Sequence, residues 1–198
     1  MDDLIDINDF KGKEIYYYTM LQDFYNKCPE KEIKRMINII NGKYKVSLRF
    51  LDWFITRYCH LHKVTYDISN SFVKCENFNV NISYKAQLKS FKKKYFDPFR
   101  RKKKFEFNNI ITTIGQLNFF KWAISYDIIN YVYTHFDDIN EKYESVNDYF
   151  RKKIDASTTS DDIEILEEKA KNAIKHYQWK LNNDLLKKNN SNKIILEF

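Results

Sequence analysis

Ten lysine and arginine side chains fall between Lys85 and Lys104 (Lys85, Lys89, Lys92, Lys93, Lys94, Arg100, Arg101, Lys102, Lys103 and Lys104), against one acid, Asp97. The segment carries a formal +9 while the whole chain of 198 residues carries +7, which leaves the remainder nearly balanced at −2. The chemistry open to such a run is the replacement of condensed counterions on a polyanion by fixed cations. The residues expected to make contact are Lys89, Lys92, Lys93, Lys94, Arg100, Arg101, Lys102, Lys103 and Lys104. The two arginines are the most able to grip phosphate or carboxylate through paired hydrogen bonds. The same run also reads as a nuclear import signal or a solvated face. Phe91, Tyr95, Phe96, Phe99, Phe105 and Phe107 interleave the charges. They could stack on bases, although anchoring in a core is the expectation for most of them.

Two further groupings contain metal-ligand residue types. Cys59-His60-x-His62, with Cys75 downstream, offers zinc ligands. The spacing argues against a site, because residues two apart on a helix face different directions and a single later cysteine does not close a tetrahedron. Asp97 with Glu106-x-Asn108 nine residues on resembles the restriction-type nuclease arrangement, in which an Asp and a Glu-x-Lys pair hold a divalent metal and a catalytic lysine. Oxygen ligands of this kind suit magnesium. Here Asn108 stands in the lysine's place, and Asp97 before Pro98 has a sufficient turn-forming role. No metal or cofactor is therefore expected. Gly12, Gly42 and Gly115 are isolated, so neither phosphate-binding glycine motif is present, and H-E-x-x-H and G-x-S-x-G are also missing. Binding without catalysis is the expectation.

These residues need a scaffold, and the composition supplies one. Apolar residues make up 43% of the 24.2 kDa chain and aromatic residues 17%, enough for a substantial core. Three glycines and two prolines favour long helices with short connections. Heavy use of Ile, Asn, Tyr, Phe and Lys suggests an A/T-rich coding genome. The acidic start, Met1 to Asp9, has no basic and apolar regions of a secretory signal, and no apolar run approaches the roughly 18 residues of a membrane helix. A soluble intracellular protein is expected, with Cys28, Cys59 and Cys75 as reduced thiols.

Periodicity places the elements. Ile15, Tyr18, Leu21, Phe24 and Tyr25 predict a helix from Lys13 to about Asn26, and Pro29 opens a second one that Asn41-Gly42 ends. A third fits Ser47 to about Cys59, with Leu48, Leu51, Phe54 (or Ile55) and Tyr58 on one side. Val64, Tyr66 and Ile68 alternate, as do Val80 and Ile82, predicting short strands. Tyr84 to Lys94 reads as a helix with Ala86 (or Gln87), Leu88 and Phe91 inward, stopped at Asp97-Pro98. Phe105 to Thr112 predicts a hairpin turning at Asn108-Asn109. Thr113 and Gln116 match a capping box, ahead of a long helix to about His135 lined by Leu117, Phe120, Ala123 (or Ile124), Ile128 and Val132. Ile139 to Ile154 gives another helix. Beyond the boundary at 156–160, a last helix is capped by Thr159 or Ser160, followed by a mobile stretch at 189–192 and an edge strand or tail at 193–198.

Three stretches also carry a resemblance. They are Leu48-Arg49-Phe50-Leu51-Asp52-Trp53-Phe54; Tyr84-Lys85-x-Gln87-Leu88-Lys89 running on to Lys94-Tyr95-Phe96-Asp97-Pro98-Phe99; and Thr112-Thr113-Ile114-Gly115-Gln116-Leu117-Asn118-Phe119-Phe120-Lys121-Trp122-Ala123-Ile124. Together, over about residues 45 to 135, they resemble a family of small basic proteins of nucleocytoplasmic large DNA viruses of the iridovirus, marseillevirus and mimivirus type. The resemblance implies a viral protein of the cytoplasmic factory, host nucleus or virion, where DNA and packaged chromatin are the abundant polyanions. It implies no activity and no site residue.

The expectation is thus a mostly helical α+β fold with a small antiparallel sheet or hairpin, in one core domain of residues 1–156 carrying the basic segment 85–104, with 157–198 as a C-terminal helix and tail. Its partner is nucleic acid, DNA ahead of RNA, or a nucleosome, with no membrane. The alternative is a virion or scaffold protein whose basic patch meets an acidic protein surface, and a metal-dependent nuclease ranks below both.

Overall fold

The computed structural model describes residues 4–155, and the expected last helix, polar stretch and tail strand lie outside the described residues. Helix dominates, with two small two-stranded antiparallel sheets. Residues up to Ile139 form one compact unit, and the chain from Asn140 onward is grouped separately.

Helix α1 (Lys13–Lys27) buries Glu14, Leu21 and Tyr25, with Tyr18 half-buried between them. These positions form a 4-3-4 stripe. Ile15, expected to face inward, is 52% exposed, and Glu14 takes the inward place instead. Helix α2 (Glu30–Ile40) starts behind Pro29 and stops where Gly42 adopts φ +69°. Helix α3 (Leu48–Trp53) is capped by the Ser47 hydroxyl, which accepts from the Phe50 N–H at 3.1 Å. It continues through one π-helical turn (Phe54–Tyr58) into the short α4 (Cys59–His62), which Lys63 ends in the left-handed region.

Strands β1 (Thr65–Ser69) and β2 (Lys74–Asn79) pair with an irregularity between Tyr66 and Ile68. Val80 and Ile82 do not extend this sheet. Asn79 accepts from the Ile82 N–H at 2.9 Å and so caps α5 (Val80–Tyr95), which starts four residues before the expected Tyr84. Alternation over three residues is equally compatible with a first helical turn, and the asparagine cap decides it. Strands β3 (Phe105–Phe107) and β4 (Ile110–Thr112) form the expected hairpin, with Asn108 and Asn109 at φ +48° and +61°. Positive φ at both central residues is what a type I′ turn requires.

Helix α6 (Ile114–Ser125) lies at the centre of the first unit and contacts α1, α5 and the following helix. Gly115, Leu117, Phe119, Phe120, Trp122, Ala123 and Ile124 are all buried, so it is enclosed on every side rather than amphipathic. The single long helix to His135 is broken. Tyr126 ends α6 and Asp127, at φ +56°, starts α7 (Ile128–Thr134). An aspartate tolerates this left-handed position better than most non-glycine residues. Helix α8 (Phe136–Asp155) follows.

Candidate polyanion-binding surface

The basic segment is the C-terminal part of α5 and the loop into β3. Inside α5, Lys92 lies at φ 60°, ψ 160°, a conformation available to glycine but strained for lysine. The chain then enters the core at Phe96, which packs against Phe119 and Trp122. Phe105 and Phe107 are also buried, while Phe91, Tyr95 and Phe99 are half-buried. The aromatic residues of the segment are mostly anchors, as expected.

The start of α6 holds this loop in shape. The Asp97 N–H donates to the Gly115 carbonyl at 3.1 Å, Gln116 Nε2 donates to the Pro98 carbonyl at 2.7 Å, and Asn118 Nδ2 donates to the Tyr95 carbonyl at 3.0 Å. Gly115 permits the approach, since a Cβ there would lie 3.2 Å from the Lys94 carbonyl oxygen. Half of the capping box forms, with the Thr113 hydroxyl accepting from the Gln116 N–H at 3.1 Å. The Gln116 side chain does not return to the cap. It is fully buried, accepts from the Thr112 hydroxyl at 2.9 Å and spends its amide on Pro98. The polar residues of the Thr112 to Asn118 string are therefore the frame of the basic loop. At its other end, Ile5 donates to the Lys104 carbonyl at 2.9 Å.

Within this frame the cations fall into two sets. Arg100 donates from Nη1 to the Ile111 carbonyl at 3.0 Å. Arg101 pairs through Nε with Asp97 at 3.3 Å, and its guanidinium lies 4.8 Å from the centre of the Phe99 ring. Lys94 and Lys103 both reach Glu14, at 3.5 and 3.3 Å. Lys89, Lys92, Lys93 and Lys102 are exposed and have no ion-pair or side-chain hydrogen-bond partner among the described residues. Lys104 is half-buried beside the hairpin.

A second acid stands beside Arg101. Burial holds the Asp52 carboxyl above its ordinary value, Asp97 pushes the same way, and Arg101 and Arg57 oppose. Burial, reinforced by Asp52 and Asp97, also pushes the Tyr84 phenol up to about 12. Asp97 itself accepts from the Phe99 N–H at 3.0 Å, the turn-forming contact expected ahead of Pro98.

The metal-type groupings are dispersed. Cys59 faces the core, and burial pushes its thiol well up, whereas His60 is exposed and the His62 ring lies tilted against Tyr58 with centres 4.2 Å apart. Glu106 points outward from β3. Among the described residues no three His, Cys, Asp or Glu side chains gather as metal ligands.

No local motif singles out Glu14 or Asp52. The signal for Glu14 is its place on the 14-18-21-25 helical stripe, whose other positions are Tyr18, Leu21 and Tyr25.

Comparison with known proteins identifies the family. The model of a family of unknown function, DUF7197, matches residues 6–194. The chain belongs to that family. An uncharacterized protein of Acanthamoeba polyphaga mimivirus is 40% identical over 142 residues, a stretch covering 67% of this chain and 54% of that relative. The DUF7197 chain thus spans about half the relative's length. No solved structure matches it. Among the described residues no helix is long and apolar enough to cross a membrane.

Proposed function

We propose that this DUF7197 protein binds nucleic acid, duplex DNA before RNA, by contacting phosphates with the lysines of segment 85–104, and that it acts without chemistry. One observation carries the reading. Both arginines of the segment are engaged by the protein's own groups, while Lys89, Lys92, Lys93 and Lys102 remain exposed and unpaired among the described residues. An ammonium is a point charge that reads phosphate, whereas base edges and acidic pockets are gripped by the guanidinium fork. The mimivirus relative supports a viral setting in a factory, nucleus or virion, where DNA is abundant.

The test is a salt titration of affinity against duplex DNA, RNA and nucleosomes. Four lysine contacts give a slope of log affinity on log salt of about −3.6, at about −0.9 per contact. Lys89→Gln, Lys92→Gln, Lys93→Gln and Lys102→Gln should each remove about 0.9 from it. Nucleosomes bound far more tightly than naked DNA, with the excess lost on Arg101→Lys, would favour an acidic protein surface instead. No binding at low salt, with the fold intact, overturns the reading.

A further inference from the structure

Helix α1 inserts one acid into this cationic region. Glu14 is only 7% exposed, on the stripe it shares with Tyr18, Leu21 and Tyr25. Its two carboxylate oxygens are divided between two cations: Oε1 lies 3.5 Å from Lys94 Nζ, and Oε2 lies 3.3 Å from Lys103 Nζ. The lysines flank the loop between α5 and β3, Lys94 in the last turn of α5 and Lys103 just ahead of β3, and lie 80 and 89 residues from Glu14. Phe10, Tyr95, Thr113 and Ile114 line the pocket around the carboxylate. A buried carboxylate must keep its counter-charge close, because leaving a charge unpaired out of water is costly. The lysines are under no such constraint, since their side chains are 52% and 54% exposed and could otherwise turn to solvent.

We infer that Glu14 is an internal counter-anion that withholds Lys94 and Lys103 from a bound polyanion, and so sets how many phosphates the segment engages. This rests on the phosphate-binding reading above. An ammonium held against Glu14 is not set against a phosphate, and the salt dependence counts only the cations that are. The contact set is then Lys89, Lys92, Lys93 and Lys102, and Lys94 and Lys103 form a reserve that becomes available when the Glu14 charge is removed.

The first experiment uses the unaltered chain with a labelled DNA duplex. Amine acetylation followed by mass spectrometry should show DNA protecting Lys89, Lys92, Lys93 and Lys102 while leaving Lys94 and Lys103 as reactive as without DNA. Equal protection of all six overturns the inference. In the second, Glu14→Gln should steepen the salt slope by about 1.8, two contacts' worth, so that the affinity lost between about 50 and 200 mM salt grows roughly twelve-fold. Lys94→Gln or Lys103→Gln should leave the slope of the native chain unchanged, and each should shallow it by about 0.9 in the Glu14→Gln background. A merely structural role for Glu14 would lower the melting temperature without moving the slope, and that result also overturns the inference. Should Glu14→Gln not fold, the acetylation pattern decides alone. DNA binding that is normal but indifferent to Glu14 removes this inference and leaves the phosphate reading standing. No binding by either form removes both.

Discussion

Gln116 Nε2 donates a 2.7 Å hydrogen bond to the carbonyl oxygen of Pro98, joining the fully buried first turn of α6 to the turn that launches the basic loop. The same amide accepts from Thr112, so one side chain satisfies two enclosed groups. Replacement by leucine keeps the volume and leaves both unsatisfied. Gln116→Leu should cost about 2–4 kcal/mol of stability. Thermal melting should register this as a fall of roughly 4–16 °C.

Gly115→Ala places a methyl group 3.2 Å from the Lys94 carbonyl and 3.4 Å from the Phe96 nitrogen. Both are backbone atoms in a loop pinned by three hydrogen bonds, so neither gives way easily. Crowding of this kind costs about 1–3 kcal/mol, against about 1 kcal/mol gained from alanine's helix propensity. A net loss near ~1 kcal/mol is expected on urea unfolding. A gain in stability would show that the loop can retreat.

The hairpin was legible because its signal is local: two asparagines between short β-branched and aromatic runs. It also supplies a prediction. Asn108→Val puts a β-branched residue at φ +48° and should cost about 1–2 kcal/mol, whereas Asn109→Gly, at φ +61°, should be neutral or stabilising. The pair of substitutions, compared by urea unfolding, separates turn geometry from any loss of an asparagine side-chain contact.

Thiol chemistry should divide the three cysteines. Burial, with Glu32 nearby, pushes the Cys28 thiol up to about 11, and burial pushes Cys59 further in the same direction. Both are enclosed, while Cys75 is half-exposed on β2. Because the thiolate is the nucleophile, iodoacetamide at about pH 8 should alkylate Cys75 in the folded protein and reach Cys28 and Cys59 only after denaturation. Mass spectrometry of the native and unfolded samples reads the result directly.

Asp52 predicts a pH dependence. Burial raises its folded value above 3.8, so the folded state binds its proton more tightly than the unfolded chain does. Its contribution to stability therefore falls as pH rises from the ordinary aspartate value through the raised one. Asp52→Asn should remove that fall and stabilise the protein at neutral pH. Unfolding followed from about pH 3 to 7 should show the native and Asp52→Asn curves diverging as pH increases; parallel curves would refute the assignment.

Other parts were less legible, for identifiable reasons. The break between α6 and α7 rests on Asp127 adopting a left-handed conformation, with no glycine or proline to mark it. Val80 and Ile82 alternate over too short a stretch to separate strand from helix, and only the Asn79 cap settles the matter. The charge of the basic segment is a local signal, but the division of its cations into engaged and exposed sets depends on distant groups. Arg100 is occupied by Ile111 and Lys94 by Glu14, contacts made across the fold that no local pattern signals.

The long reach of α1 has a consequence for the order of events during synthesis. Its ties run forward to residues made much later: Tyr25 to Leu117 across 92 positions, and Glu14 to Lys94 and Lys103 across 80 and 89. An α-helix this short is marginal by itself, and long loop closures are slow. Helix α1 thus leaves the ribosome well before the residues on which it docks. Until α6 emerges, Leu21, Tyr25 and the neighbouring aromatic residues stay uncovered on the nascent chain, where a chaperone would find them.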